Sequence, residues 1–210
     1  MPLYVVLDHS ALIPYGDKPE EEKEAIRRLG DLLPRRSVVW YVSRSYLKTL
    51  YMVFSRELKL YREELKRYPL PRLQSSLMKV LKSLLELLDT KVWHCREREL
   101  TGTELKLHVV ARTAFKHIDP ELQAMWGRLG SLSEDDLEVL ALTVICVSYA
   151  SDPLHLVIAD RPLLQTAEQL AQLAGLKVRI LTPKQLVELI SEDTVYLNKA
   201  LELECWSGTY

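Results

Sequence analysis

The stretch "SEDDLEVLALTVICVSYASDPLHLVIADRP", from Ser133 to Pro162, carries the pattern from which the fold class is predicted. Three adjacent acids stand before a run of apolar residues, and the segment from Glu134 to Tyr149 has a helical pattern. "HLVI" is short, apolar and rich in β-branched residues, which is typical of a strand buried on both faces of a parallel sheet. Pro162 then opens another helical pattern.

Helices and strands alternate in the same way along the rest of the chain. The other strand candidates are "LYVVL", "VVWYV", "KVRIL" and "TKVWHC". The other helical patterns run over Glu20 to Leu33, Ser45 to Tyr68, Leu73 to Leu88, Thr103 to Phe115, Pro162 to Ala174 and Pro183 to Ile190. This alternation predicts an α/β fold, a three-layer α/β/α sandwich with a central, mostly parallel sheet of about five strands and right-handed crossovers.

The length and composition suit a single hydrophobic core. The chain has 210 residues, of which 48% are hydrophobic, and residues 1–192 are predicted to form one α/β domain. Residues 193–210 are predicted to be a C-terminal tail. Because Pro69, Pro71 and Pro120 interrupt the helical patterns of the middle, we interpret residues 56–130 as a helical elaboration on a smaller core.

Composition also bears on the compartment and the source. The longest uncharged apolar stretch, Val139 to Ala150, is too short to span a bilayer, and "MPLYVVLDHS" lacks the basic flank of a signal peptide. We therefore expect a cytoplasmic protein. The cysteines have no CxxC spacing, so neither a zinc site nor a disulfide framework is predicted. Asn198 is the single asparagine, which indicates a heat-adapted microbial source.

Basic residues are concentrated in the middle of the chain, although the net charge is only −1. Between Arg35 and Lys82 there are twelve Lys or Arg residues and three Glu residues. Such a segment predicts contact with the phosphates of RNA, with Tyr61 and Tyr68 placed for base stacking. The candidate nucleic-acid-binding residues are Arg56, Lys59, Arg62, Lys66, Arg67 and Arg72. The alternative is a solvated helix laced by ion pairs such as Lys59 with Glu63.

Acidic residues stand where two predicted strands end. Asp8 follows "LYVVL" and Asp160 follows "HLVI", while Asp136 lies in the first turn of the helix before "HLVI". If these strands are neighbours at the point where the strand order reverses, the acids are predicted to face one crevice. A cluster of carboxylates favours Mg²⁺ or Mn²⁺, which assist phosphodiester hydrolysis. The alternative is that Asp136 and Asp160 cap helices, whereas Asp8 has no comparable local role.

The segments around these acids resemble those of the PIN domain family, metal-dependent nucleases that act mostly on RNA. The matching segments are "YVVLDHSAL", "LSEDDLEVLAL", "LHLVIADRPLLQTAEQLAQLAGLKV" and "TPKQLVEL", which cover under half of the chain. The resemblance implies that Asp8, Asp136 and Asp160 are catalytic, metal-binding acids and that the Ser10 hydroxyl supports the first of them. The long helical middle before "SEDDLEVLAL" is also similar to that of the archaeal RNA ligase partner proteins, which are themselves PIN-like.

The chain departs from the family pattern on the helix after the second strand. PIN nucleases usually carry a Glu there, and this chain has Tyr46 or Thr49 in its place. The acids that would compensate are Asp135, as a further metal ligand, and Glu134 or Glu104. The loss of one ligand of four is expected to weaken metal binding and leaves a degenerate site as an alternative.

The resemblance implies a Mg²⁺- or Mn²⁺-dependent ribonuclease acting on single-stranded RNA. The alternatives are a catalytically impaired PIN-fold module that binds RNA or a protein partner, and the toxin of a toxin and antitoxin pair. Arg161 is expected either to pair with Asp136 or to contact a phosphate. The histidines show no paired ligand spacing and are predicted to be structural. Trp206 and Tyr210 leave open whether the tail docks on its own domain or on a second copy in a homodimer.

Overall fold

The structure is a computed structural model that describes residues 2–88, 96–100, 103–110, 124, 132–148, 150 and 153–191. The predicted strand "TKVWHC", His94, His117 and the predicted tail at 193–210 lie outside these residues. The strands are β1 (Leu3–Leu7), β2 (Val38–Ser43), β3 (Arg96–Glu99), β4 (Leu105–Val110), β5 (Leu154–Val157) and β6 (Val178–Leu181). The helices are α1 (Glu20–Leu32), α2 (Arg44–Leu60), α3 (Arg62–Arg67), α4 (Arg72–Leu88), α5 (Glu134–Val147), α6 (Arg161–Leu173) and α7 (183–191).

The described strands form a single sheet in the order β3-β4-β2-β1-β5-β6. Five of them, from β4 to β6, run parallel, and β3 is an antiparallel strand at the edge. Helices cover the sheet in a three-layer α/β/α sandwich, so the predicted fold class is confirmed. None of the described helices is both long and apolar enough to cross a membrane.

The strand order reverses at β1, which has β2 on one side and β5 on the other. The chain runs from β1 outward to β2 and later returns to form β5 against the free side of β1. The residues that follow β1 and β5 therefore emerge next to each other at the carboxyl edge of the sheet. This adjacency confirms the condition on which the predicted crevice depends.

The central strands and α5 have continuous apolar sequences because they are buried on more than one side. Val5, Val6 and Leu7 of β1 have no exposed surface, and all of β5 is buried. Helix α5 contacts β1, β2 and β5 on one side and α2 on another, so little of its surface reaches water. Burial on several sides is the physical reason for an apolar run rather than a single apolar stripe.

The helix predicted over residues 103–115 is wrong for Leu105–Val110, which form β4. In β4, Leu105, Leu107 and Val109 are buried while Lys106 is exposed, which is the period of two that belongs to a strand. The segment 56–130 is therefore only partly helical, because it also supplies β3 and β4 to the sheet. The helix predicted from Ser45 to Tyr68 is interrupted at Tyr61, between α2 and α3.

Candidate functional site

Asp8 emerges from the end of β1 and has no exposed surface. Its backbone N–H continues the sheet by donating to the carbonyl oxygen of Val157, at 3.0 Å. Its Oδ2 accepts hydrogen bonds from the Ser10 backbone N–H, at 2.9 Å, and from the Ser10 hydroxyl. Asp8 thus caps a short 3-10 helix over His9–Ala11. The expectation that Asp8 has no local structural role is wrong, because the turn after β1 starts this helix at once.

Ser10 joins the loops that follow the two neighbouring strands. Besides donating to Asp8, its Oγ accepts the backbone N–H groups of Ala159, at 3.0 Å, and Asp160, at 3.1 Å. The predicted supporting hydroxyl is therefore placed between the segments that carry Asp8 and Asp160. Its hydroxyl holds the two loops together through one donated and two accepted hydrogen bonds, which use its full hydrogen-bonding capacity.

Three hydroxyl groups from the start of α2 each donate a hydrogen bond to a different carboxylate. We call Ser45, Tyr46 and Thr49 the hydroxyl row. The pairs are Ser45 to Glu138 at 2.6 Å, Tyr46 to Asp8 at 3.3 Å, and Thr49 to Asp135 at 3.0 Å. Ser45 and Thr49 are four residues apart and share a helix face, which points them at two positions of α5. The row therefore occupies the place where the resemblance implies an acid.

His9 lies beside Asp8 and close to the acids of α5. Its Nδ1 is 3.1 Å from Asp8 Oδ1, in a contact whose direction is poor for a hydrogen bond, so we regard it as a charge contact. Burial lowers the pKa of His9, but Asp8, Asp135 and Asp136 together outweigh burial and raise it. Burial alone would raise the pKa of Asp8, yet His9 and Ser10 hold it below its usual value.

Tyr46 is buried against the same carboxylate. Burial is the largest cause that raises the pKa of its phenol well above the usual value, and the negative charge of Asp8 adds to it. The phenol therefore keeps its proton and remains a donor to Asp8. A hydrogen bond to an ionised carboxylate is usually one of the stronger kinds in proteins, but at 3.3 Å this one is long for two oxygen atoms.

Asp136 and Asp160 both serve as helix caps, as the structural alternative expected. Asp136 and Ser133 form a capping box, in which Asp136 Oδ2 accepts the Ser133 N–H at 2.9 Å and Ser133 Oγ accepts the Asp136 N–H at 3.2 Å. Asp160 Oδ1 accepts the N–H of Leu163 at 2.9 Å and caps α6. Each carboxylate thus uses one oxygen on a backbone donor.

The described residues do not present a ready group of ligands for Mg²⁺ or Mn²⁺. Among the described residues, no group of three or more His, Cys, Asp or Glu side chains converges on a common point. A divalent cation needs carboxylate oxygens that are free to face it at about 2.0–2.6 Å. Here Asp8, Asp135, Asp136 and Asp160 each direct an oxygen at a protein donor. Their metal-binding role stays a prediction from the resemblance.

The two other acids considered as compensating ligands lie elsewhere. Glu104 precedes β4, at the amino edge of the sheet, and its backbone N–H donates to the carbonyl of Pro34 at 3.0 Å. It is therefore at the opposite end of the strands from Asp8. Glu134 is exposed in the first turn of α5.

A cleft of about 650 Å³ adjoins the acids at the carboxyl edge. It lies between the loop after β1, the second half of α2 and the start of α6. Its charged and polar lining residues are His9, Ser10, Lys18, Glu22, Arg56, Glu57, Asp160 and Arg161. Arg161 forms no ion pair with Asp136 or with any other residue that the structure describes. The expected ion pair with Asp136 is therefore not observed, and contact with a phosphate stays a prediction.

The predicted nucleic-acid-binding residues continue from this cleft along the surface. Arg56 lines the cleft and pairs with its neighbour Glu57 at 3.0 Å. The others are exposed on α2, α3 and the start of α4: Lys59, Arg62, Lys66, Arg67 and Arg72. Glu63 pairs with Lys66 at 2.7 Å rather than with Lys59.

The two tyrosines predicted to stack on bases are engaged within the fold. The ring of Tyr61 stacks on that of Tyr15, with centroids 6.4 Å apart. The Arg27 guanidinium lies 4.4 Å from the centroid of the Tyr68 ring and covers one of its faces. Tyr68 is 46% exposed and keeps its other side open, whereas Tyr61 contributes mainly to packing.

Sequence reasoning did not single out Lys18, Glu138 or the Tyr46 phenol. Lys18 stands in the turn "GDKPE" before α1, and its sequence neighbours carry no functional signal. Glu138 falls within the apolar run of α5 and is 9% exposed, and a lone acid there could have signalled a buried partner. The comparison with protein-family models and the search of curated proteins returned no match for the chain.

Proposed function

We propose that this chain is a PIN-like RNA-binding module in which hydroxyl groups, rather than a metal ion, offset the charge of the acids at the carboxyl edge. The hydroxyl row is the observation that carries the proposal. Ser45, Tyr46 and Thr49 each donate to a carboxylate of this edge.

The physical argument concerns how buried negative charge is compensated. Carboxylates brought together repel one another and need either a cation or hydrogen-bond donors. An acid on α2 would add a ligand and increase the demand for a cation. Tyr46 and Thr49 instead add donors, which act beside the His9 charge contact to stabilise Asp8 and Asp135 without a metal ion.

The RNA-binding part of the proposal is supported by the cationic surface beside the acids. Arg56 joins the wall of the cleft to the exposed basic residues of α2 and α3. Lys and Arg side chains that are exposed on one surface attract the phosphates of a nucleic acid, and the attraction weakens as salt is added. The donors leave the acids ionised but partly screen their charge, so these acids repel the strand less than bare carboxylates would.

The test measures RNA binding, Mn²⁺ binding and RNA cleavage on the same protein. We expect the wild type to bind fluorescent single-stranded RNA in EDTA, to give no Mn²⁺ signal in calorimetry and to leave the RNA intact. Thr49→Glu should gain Mn²⁺ binding, whereas the neutral control Thr49→Gln should not. Mn²⁺ binding and RNA cleavage by the wild type, both abolished in Asp8→Asn, would overturn the proposal.

The second candidate is the Mg²⁺- or Mn²⁺-dependent ribonuclease that the resemblance implies. It is favoured by the position of four acids around one edge: Asp8 and Asp160 follow neighbouring strands, and Asp135 and Asp136 both raise the pKa of His9. For Asp8 to bind a metal ion through Oδ1, its hydrogen bond with the Tyr46 phenol would have to break. The wild-type and Asp8→Asn measurements just described decide between the two candidates.

A further inference from the structure

The cleft contains two cations that the rest of the described structure does not hold in ion pairs. Lys18 approaches it from the loop before α1, and Arg161 from the first residue of α6. Within the described residues neither side chain forms an ion pair or a hydrogen bond. A cationic side chain that lines a cleft and lacks a partner is available to a ligand of opposite charge.

The three acids of the cleft differ in how they are engaged. Glu57 is paired with Arg56 at 3.0 Å, and Asp160 uses Oδ1 to cap α6. Glu22 is the one lining acid whose side chain has neither kind of bond to the residues described. Asp160 keeps its negative charge when it caps a helix, so Lys18 and Arg161 are balanced in formal charge by Glu22 and Asp160. What distinguishes the two cations is that neither is held in an ion pair by a described residue, so each can turn to a ligand of opposite charge.

We propose that Lys18 and Arg161 form a phosphate-binding subsite that works without a metal ion. The cleft of about 650 Å³ has the size of a ligand site rather than of a packing defect. Arg161 suits a phosphate because its guanidinium presents two parallel donors, and Lys18, on the loop before α1, lines the same cleft and adds a second charge. The identification of this phosphate as part of an RNA strand rests on the proposed function.

The phosphate could belong to an RNA strand or to a free nucleotide, and the probes separate these sources. The full chain is titrated in EDTA with hexauridylate and, separately, with uridine 5′-monophosphate. We expect the wild type to bind hexauridylate, and Lys18→Gln and Arg161→Gln each to weaken this binding roughly tenfold. Each variant should also flatten the salt dependence, since it removes one of the two charges that bind the phosphate.

Matched controls come from the opposite edge of the sheet. Lys177 and Arg179 are exposed and line a separate groove beside the start of β6. Lys177→Gln and Arg179→Gln carry the same charge changes and should bind hexauridylate as the wild type does. Far-ultraviolet circular dichroism of all four variants checks that the fold is kept.

Three outcomes separate the subsite from the proposed function. Hexauridylate binding that is equal in wild type, Lys18→Gln and Arg161→Gln would overturn the subsite and leave RNA binding in place. Uridine 5′-monophosphate binding that depends on Lys18 and Arg161, without hexauridylate binding, would support the subsite and overturn the RNA-binding function. Binding of neither probe by the wild type would overturn both.

Discussion

Tyr46 and Asp8 are 38 residues apart in the chain, and the hydrogen bond between them joins the start of α2 to the end of β1. A fully buried carboxylate is costly unless donors surround it. Asp8 has the Ser10 N–H and hydroxyl on Oδ2, and the Tyr46 phenol and the His9 ring on Oδ1. A residue at position 46 without a donor would leave that charge with less compensation. The phenol is therefore as much part of the site as the acid.

Tyr46→Phe tests the contribution of this phenol to stability. The variant keeps the ring and removes the donor, so the free energy of unfolding should fall by about 1 kcal/mol, because the acceptor is charged but the bond is long. Urea denaturation measures the change. Tyr51→Phe, on the same helix, removes a phenol with no hydrogen bond to a described residue and should change stability by less than about 0.5 kcal/mol. Equal losses in both variants would contradict the role given to Tyr46.

The buried phenol of Tyr15 is expected to make the protein less stable at high pH. Burial is the main cause that raises its pKa from 10.0 to about 12, with Arg27 opposing and Glu64 adding to the shift. Because the folded protein holds this proton more tightly than the unfolded chain, its contribution is complete below pH 10 and is lost as the pH rises to about 12.

Urea denaturation of the wild type and of Tyr15→Phe is compared from about pH 9 upward. This range begins below the usual tyrosine pKa of about 10, where the phenol is protonated in both the folded and the unfolded chain. Over that range the free energy of unfolding should fall more steeply in the wild type. If the free energy of unfolding fell equally steeply with pH in both proteins, Tyr15 would have the same pKa in the folded and unfolded chain.

Helix α2 links the acids to the cleft, because different parts of it face different partners. Its first turns carry the hydroxyl row, and Val53, Arg56 and Glu57 further along line the cleft. The helix begins where Ser43, the last residue of β2, accepts the Tyr46 N–H at 3.0 Å. The cap fixes the rotation of α2, and the rotation decides which side chains reach the acids.

Asp160 tests whether an acid of this edge acts mainly as a helix cap. Asn is as good a cap as Asp, so Asp160→Asn should lower the free energy of unfolding by less than about 0.5 kcal/mol, and Asp160→Ala by about 1 kcal/mol. Thermal and urea denaturation give both values. A large loss of stability in Asp160→Asn would indicate that the negative charge itself matters at this position.

Gly30 is required by the packing of α1 against α4. A Cβ at this position would lie 2.6 Å from the Pro71 Cβ and even closer to Gln74 Oε1. Gln74 has no exposed surface and is held by a 3.0 Å bond from its Nε2 to the carbonyl of Leu12.

Gly30→Ala should therefore destabilise the protein by about 1–3 kcal/mol, although Ala is the better helix former. Arg28→Ala, at an exposed position of the same helix, is the control for a substitution that does not face α4 and should have little effect. Urea denaturation of both variants measures the difference. A more stable Gly30→Ala protein would mean that the two helices separate without cost.

The whole molecule places its basic surface next to the carboxyl edge. The sheet reverses its order at β1, so the loops after β1 and β5 and the crossing helix α2 surround one cleft. The basic residues of α2, α3 and α4 extend from there. A strand held in the cleft would therefore continue over a surface of the same sign of charge.

Charge reversal on this surface tests the path of the strand. The triple variant Arg62→Glu, Lys66→Glu and Arg67→Glu should weaken binding of single-stranded RNA and reduce the slope of log affinity against log salt by about 0.7 for each phosphate that the variant fails to neutralise. Fluorescence anisotropy at several salt concentrations measures both. Lys177→Glu, at the amino edge, is the control and should leave the slope unchanged. An unchanged slope in the triple variant would place the strand elsewhere.

Several features follow from the sequence because their causes are local. Continuous apolar runs such as "LYVVL" predict buried parallel strands, and Ser133 followed by Asp136 predicts the cap of α5. The apolar run of α5 predicts its burial. Residues 105–110 are the counterexample, because a helix is predicted over "LKLHVV" and its pairing with β2 makes it a strand.

The site depends on contacts between residues distant in the chain, which arise only when the elements pack together. Whether Tyr46 or Thr49 replaces a ligand is open in the sequence, and in the structure both donate to acids that come from other elements. Lys18 and Arg161 are separated by most of the chain and meet at one cleft because β1 and β5 are neighbours. The order of amino acids specifies the types of residue present at the ends of the strands. Strand order and helix rotation, which are properties of the packed molecule, determine which of them face one another.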